Sequence, residues 1–179
     1  MLVGASLARH VAALSRGDDD RVVERDGESR SISEERTYTE DFFDPRPIDR
    51  ALLARAAGVA RTLRSEGLVA RTVHLKVRTG DFTTFTRAQT LREPTDLAEA
   101  IVAAARALYA DRIDLKGRGV RLLGVGVSGL LDKSEDRPSL FPDAASARAR
   151  KLAGIEDAVR ERAGDRALIR ASLMRDKES

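Results

Sequence analysis

Apolar and polar positions alternate strictly from Val69 to Arg78: Val69, Arg71, Val73, Leu75 and Val77 fall on one side, Ala70, Thr72, His74, Lys76 and Arg78 on the other. A period of two with β-branched residues on one side predicts a half-buried antiparallel strand. Thr79-Gly80-Asp81 follows, a turn whose glycine is expected to supply a positive φ, and a second β-branched and aromatic run starts at Phe82 and carries Arg87 and Gln89 outward. Ahead of this hairpin, Ser31 to Thr39 predicts a first strand anchored by Ile32 and Tyr38. Asp44-Pro45 then opens a helix with Leu52, Leu53, Ala56, Val59, Ala60 and Leu63 on one face and Gly67 at its end. Beyond the hairpin, Thr95 caps a second helix with Leu97, Ile101, Ala104, Leu108 and Tyr109 as its stripe. Gly119 to Leu131 is apolar on both sides, as a covered central strand is, and Gly124, Gly126 and Gly129 permit close backbone approach.

The order β-α-β-β-α-β predicts an α+β fold: a four-stranded antiparallel sheet with both right-handed crossover helices on one face and the other face open. Lys76, Arg78 and Arg87 are expected on that open face. Phosphates fit such a surface, since one face of a strand repeats every ~6–7 Å, close to the spacing along a nucleic-acid backbone. Outside this unit, Leu2 to Leu14 has helical spacing, and the stretch from Arg16 to Arg30, with Asp18-Asp19-Asp20, reads as a polar tether and loop, not a metal site. Asp132 to Ser146 is a polar linker holding the apolar pair Leu140-Phe141, followed by a weakly amphipathic helix with Leu152, Ile155 and Val159.

Composition narrows the chemistry. The chain has no cysteine and only two histidines, His10 and His74, far apart, which excludes thiolate chemistry and a histidine metal cluster. No run approaches eighteen apolar residues and the first residues lack the blocks of a signal peptide, so a membrane span is excluded and the expected compartment is the cytoplasm. The net charge of +3 is uneven: residues 61–131 hold 12 basic and 7 acidic groups, whereas residues 1–60 hold 9 and 12. A polyanion is therefore drawn to the hairpin half.

Several stretches resemble the little-finger (polymerase-associated) domain of Y-family translesion DNA polymerases of the DinB or DNA polymerase IV type. Arg30-Ser31-Ile32-Ser33-Glu34-Glu35 is similar to the first-strand motif of that family. Thr72 to Arg78 with Asp81 to Arg87 resembles its hairpin, and Val120 to Leu130, VRLLGVGVSGL, its last strand. The resemblance divides the chain into the end of a thumb-like helix (1–16), a tether (17–29), the little-finger DNA-binding domain (30–131) and a linker with helical tail (132–179). It implies a monomer that grips primer-template DNA without sequence preference, with Ser31, Ser33, Lys76, Arg78, Thr84, Thr86, Arg87 and Arg121 as phosphate contacts.

Pro138-Ser139-Leu140-Phe141 is similar to the sliding-clamp-binding peptide of these enzymes, with Arg137 where glutamine is common. The resemblance thus implies a clamp as a second partner, through Leu140 and Phe141. Polymerisation in the family needs palm carboxylates holding two metal ions, and no palm or fingers is legible here. No catalytic residue and no cofactor is therefore expected in this chain, magnesium belonging to the palm. A clamp-docking module with an idle sheet face is the alternative. An acylphosphatase-like enzyme needs an Asn, which the chain lacks, and an RNA-recognition domain needs aromatics on its central strands, where only Phe85 is a candidate.

Overall fold

The computed structural model describes residues 31–134 and 144–164, with 15–16, 167–168 and 171. Four strands, β1 (Ile32–Phe42), β2 (Leu68–Thr79), β3 (Thr84–Thr95) and β4 (Val120–Asp132), form one antiparallel sheet in the order β1-β4-β2-β3. Helix α1 (Pro45–Ser65) connects β1 to β2, α2 (Ala98–Arg112) connects β3 to β4, and α3 (Ala144–Ala163) follows the sheet. The expected β-α-β-β-α-β architecture is the one observed.

The core lies between the sheet and α1 with α2. Val73, Leu75 and Val77 of β2 stand opposite Val127, Val125 and Leu123 of β4, and all six are buried. From the helices, Leu52, Ala56, Val59 and Leu63 of α1 and Ile101, Ala105 and Leu108 of α2 close over them in the same cluster. Helix α1 starts as its sequence dictates: the Asp44 side chain accepts from the backbone N–H of Arg46 at 2.8 Å, with Pro45 in the first turn. It ends before Gly67, which takes φ +67° at no steric cost.

Several details depart from the sequence reading. β1 runs on to Phe42, through an irregularity after Thr37. In β2 the alternation breaks at its start: Ala70 joins the core and Arg71 is exposed, reversing their expected sides. The ladder is irregular at the same place: Ala70 pairs with Thr95 but Thr72 with Thr90, which leaves extra residues in β3 opposite Arg71. Thr95 is the last residue of β3 and not the helix cap; its hydroxyl accepts from the N–H of Leu97 at 3.1 Å, and Leu97 occupies the cap position. Helix α3 docks through the buried Ala153 and through Asp157, which takes two hydrogen bonds from Arg64 at 2.6 and 2.9 Å. Leu152 and Ile155, expected as its apolar stripe, are exposed.

The β2–β3 turn is also built differently. The positive φ belongs to Phe82 (+64°), and Gly80 serves by leaving space, because a Cβ there would meet Asp41 Oδ2 at 2.1 Å. A non-glycine residue in this region needs support, and Asp81 supplies it. Its carboxylate accepts from the Thr79 hydroxyl, from the N–H and hydroxyl of Thr83 at 3.2 and 3.1 Å, and from Arg118 at 3.1 Å. These bonds, that of Thr79 first and then that of the Thr83 backbone, outweigh desolvation and hold the Asp81 carboxyl far below its ordinary value. A depressed folded-state value means that the stabilisation is present above the ordinary carboxylate range, near pH ~4, and is lost as pH falls below it. Asp81→Ala is therefore expected to lower the melting temperature at pH 7, with the gap to the parent chain closing progressively below pH ~4 in scans run at successive pH values.

Candidate nucleic-acid interface

The strand register determines what stands on the helix-free face. Residues paired across an antiparallel ladder share a face, so the pairs that bury Val73, Leu75 and Val77 send the alternate residues outward. Three rows result. Ser33 of β1, Gly126 of β4, His74 of β2 and Ala88 of β3 form one; Glu35, Gly124, Lys76 and Thr86 the next; Thr37, Leu122, Arg78 and Thr84 the third.

Two buried glycines stand at the middle of this surface. Gly124 and Gly126 present no side chain, and a Cβ at either would come within 2.9 Å of Glu35 Cβ or 3.0 Å of Ser33 Cβ. The glycines thus let β1 side chains lean over β4 and leave a shallow floor between β1 and β2. Around it the polar groups are partnered across strands. Lys76 Nζ bonds Glu35 Oε2 at 2.8 Å, with both side chains partly exposed (37% and 51%). Arg78 Nε donates to Thr84 Oγ1 at 2.8 Å, His74 Nε2 lies 2.7 Å from Ser128 Oγ, and the hydroxyls of Thr72 and Thr90 are 3.4 Å apart. At one end, Arg121 donates to Asp41, the carboxylate that also crowds Gly80.

Of the sequence-nominated residues, Ser33, Lys76, Arg78, Thr84 and Thr86 share this face, with Ser31 just ahead of β1 and Arg121 at the rim, paired with Asp41. Arg87 does not. It stands opposite Leu75 on the helix side, where its Nε donates to the Arg112 carbonyl at 2.9 Å, at the end of α2. Gln89, opposite Val73, is on the same side. Phe85 faces the helix side too, opposite Val77 and beneath the Arg118 guanidinium at 5.4 Å, so it is not placed to stack a base on the open face. The pairing decides it: Thr84 stands opposite Arg78, so Thr84, Thr86 and Ala88 share the open face and Phe85, Arg87 and Gln89 the helix side. Leu140 and Phe141 lie outside the described residues, as does the stretch from Leu2 to Leu14.

The positive excess of residues 61–131 is likewise not concentrated on the open face. Arg64 is bound to Asp157, which raises its pKa, and Arg106 to Asp49 at 2.5 Å, both on the helical side. Glu35 was missed as part of the site, although its spacing of two from Ser33 places it on the same face. Among the described residues no group of three or more His, Asp and Glu is placed to hold a metal ion, and no helix is long and apolar enough to cross a membrane.

Comparison with known proteins brings in relatives. The model of the impB/mucB/samB family C-terminal domain matches residues 29–140. The chain is 42% identical over 152 residues to DNA polymerase IV of Streptomyces coelicolor, covering 85% of this chain and 31% of that one. It is 36% identical over 168 residues to DNA polymerase IV of Desulfatibacillum aliphaticivorans, covering 93% of this chain and 42% of the relative. The chain therefore spans well under half the length of these curated relatives. Among solved structures, a complex of a beta-clamp processivity factor and the little finger domain of PolIV matches over 63% of this chain and 98% of that one, with 26% identity and a TM-score of 0.47.

Proposed function

Because this chain belongs to the impB/mucB/samB family C-terminal domain, the little-finger portion of DinB-type Y-family DNA polymerases, we propose that its open sheet face grips the backbone of primer-template DNA without reading sequence, in the service of lesion bypass. The observation that carries this reading is the co-facial set Ser33, Lys76, Arg78, Thr84 and Thr86 around a glycine floor. Hydroxyls and cations are among the groups that hold phosphates, and phosphate contacts fix orientation without carrying sequence information. Ser31 extends the set at one end and Arg121 at the other, where release from Asp41 frees its guanidinium for a phosphate. Arg87 has no place in this set. The reading gives the chain no nucleotidyl-transfer chemistry of its own, which requires clustered carboxylates and two metal ions.

The Lys76–Glu35 pair sets the strength of the grip. An exposed ion pair is worth about 0.2–1 kcal/mol, so a phosphate competes for Lys76 while Glu35 opposes it by repulsion. Binding is accordingly micromolar or weaker, with log affinity falling against log salt by about 0.9 per phosphate neutralised. Titration of a labelled duplex at several salt concentrations is expected to show Lys76→Ala weakening binding and lowering the salt slope by about one. Glu35→Gln is expected to tighten binding about threefold, and Arg87→Ala to change it less than about twofold, because that charge lies on the other side of the sheet. Sequence-selective or salt-independent binding contradicts the reading.

Leu140 and Phe141, stranded in a polar linker, supply the apolar pair that we assign to a sliding clamp. Short docking motifs draw most of their affinity from such anchors. Leu140→Ala with Phe141→Ala is expected to abolish clamp association in a pull-down or surface-binding assay, with duplex affinity and melting temperature unchanged. A drop in melting temperature instead assigns the pair to the domain's own packing.

A further inference from the structure

Among the described residues the open face carries one histidine, His74. His74 sits mid-face between Gly126 of β4 and Ala88 of β3, so its ring is flanked by a residue with no side chain and one with a single methyl. Nε2 is held by Ser128 Oγ at 2.7 Å, which anchors the imidazole and leaves the Nδ1 edge without a hydrogen-bond partner among the described residues. The charged groups nearest along the face are Lys76 of the same strand and Glu35 of β1, bound to one another at 2.8 Å, and then Arg78, bonded to Thr84. From β4 and β3 the facing groups are uncharged: Ser128 and Gly126, and Thr86, Ala88 and Thr90. His74 is thus not committed to a carboxylate, and its protonation adds a full charge to the face.

The geometry points to His74 as a further phosphate-binding residue of this face, one that holds DNA in its imidazolium form and so makes the grip proton-linked. In the neutral ring Nδ1 meets a phosphate oxygen either as an acceptor, which repels it, or as an uncharged donor, according to which partner of the Ser128 bond donates; in the imidazolium both nitrogens donate and the bond is charge-assisted. A charge-assisted bond from Nδ1 to a phosphate, with Nε2 still on Ser128, adds one neutralised phosphate to those held by Lys76 and Arg78. Affinity for DNA then rises as pH falls through the histidine range, accompanied by uptake of one proton. The chain has no cysteine and only one other histidine, His10.

This inference rests on the open face being the DNA-binding face, and duplex titrations of the full chain at pH 8.0, 7.0, 6.0 and 5.5 separate the two. The parent chain and a His10→Gln control are expected to bind about tenfold tighter at pH 5.5 than at pH 8.0, with a salt slope larger by about 0.9 at the lower pH. His74→Gln is expected to show a flat profile. His74→Lys, charged at every pH, is expected to be flat and to match the parent's low-pH affinity throughout. A flat parent profile, or a His74→Gln chain that keeps the parent slope, overturns the role of His74 while leaving duplex binding at pH 8.0 in place. Absence of duplex binding at every pH overturns the face itself and this inference with it.

Discussion

The antiparallel ladder between β2 and β4 is the constraint on which the fold and the face both depend. Val73, Leu75 and Val77 meet Val127, Val125 and Leu123 on one side, and this double row, sealed by α1 and α2, is the centre of the core. The same register obliges His74, Lys76 and Arg78 to stand on the other side beside Gly126, Gly124 and Leu122. Because the side-chain period of a strand is two, a slip of one residue would expose the valines and bury the cations. Burial of the apolar row therefore specifies the surface as strictly as it specifies the interior.

The surface is moderate in charge. Lys76 is shared with Glu35, and several arginines of this half of the chain are engaged on the helical side, Arg64 by Asp157, Arg106 by Asp49 and Arg87 by the end of α2. What the face offers in abundance is hydroxyls: Ser33, Thr84 and Thr86 beside two buried glycines over which β1 side chains lean. Such groups hold a phosphate at short range and carry little field beyond a Debye length of ~8–10 Å. On the proposed reading, affinity depends on several weak contacts made together, each easily exchanged for the next phosphate along the strand.

The buried half of this structure was legible in the sequence because burial leaves a period. The alternation from Val73 to Val77 and the stripe of Leu52, Ala56, Val59 and Leu63 each mark their inner face without ambiguity. Edge strand β3 leaves no such mark. Its alternating sets, Thr84, Thr86 and Ala88 against Phe85, Arg87 and Gln89, are polar on both sides, because α2 covers the inner one only in part. Phe85 was the usable signal: a large apolar ring belongs on the core side, and that assignment carries Arg87 with it. The turn departs from the expectation as well, since its positive φ falls on Phe82, where no sequence rule would place it, and is sustained by bonds that the Asp81 carboxylate accepts from Thr79 and Thr83 within the turn and from Arg118 of the α2–β4 connection. Helix α3 misled for a related reason: its contact with the domain is the Asp157–Arg64 pair and Ala153, so its larger apolar side chains mark no buried face.

Whether nucleic acid lies on the open face or on the helical one is settled by following backbone amide resonances of the labelled chain as a short duplex is added. The placement argued from the register predicts shifts at Ser33, Lys76, Thr84, Thr86, Gly124 and Gly126, with Arg61, Arg87 and Arg106 unmoved. Shifts concentrated on α1 and α2 with the glycine floor silent would contradict it.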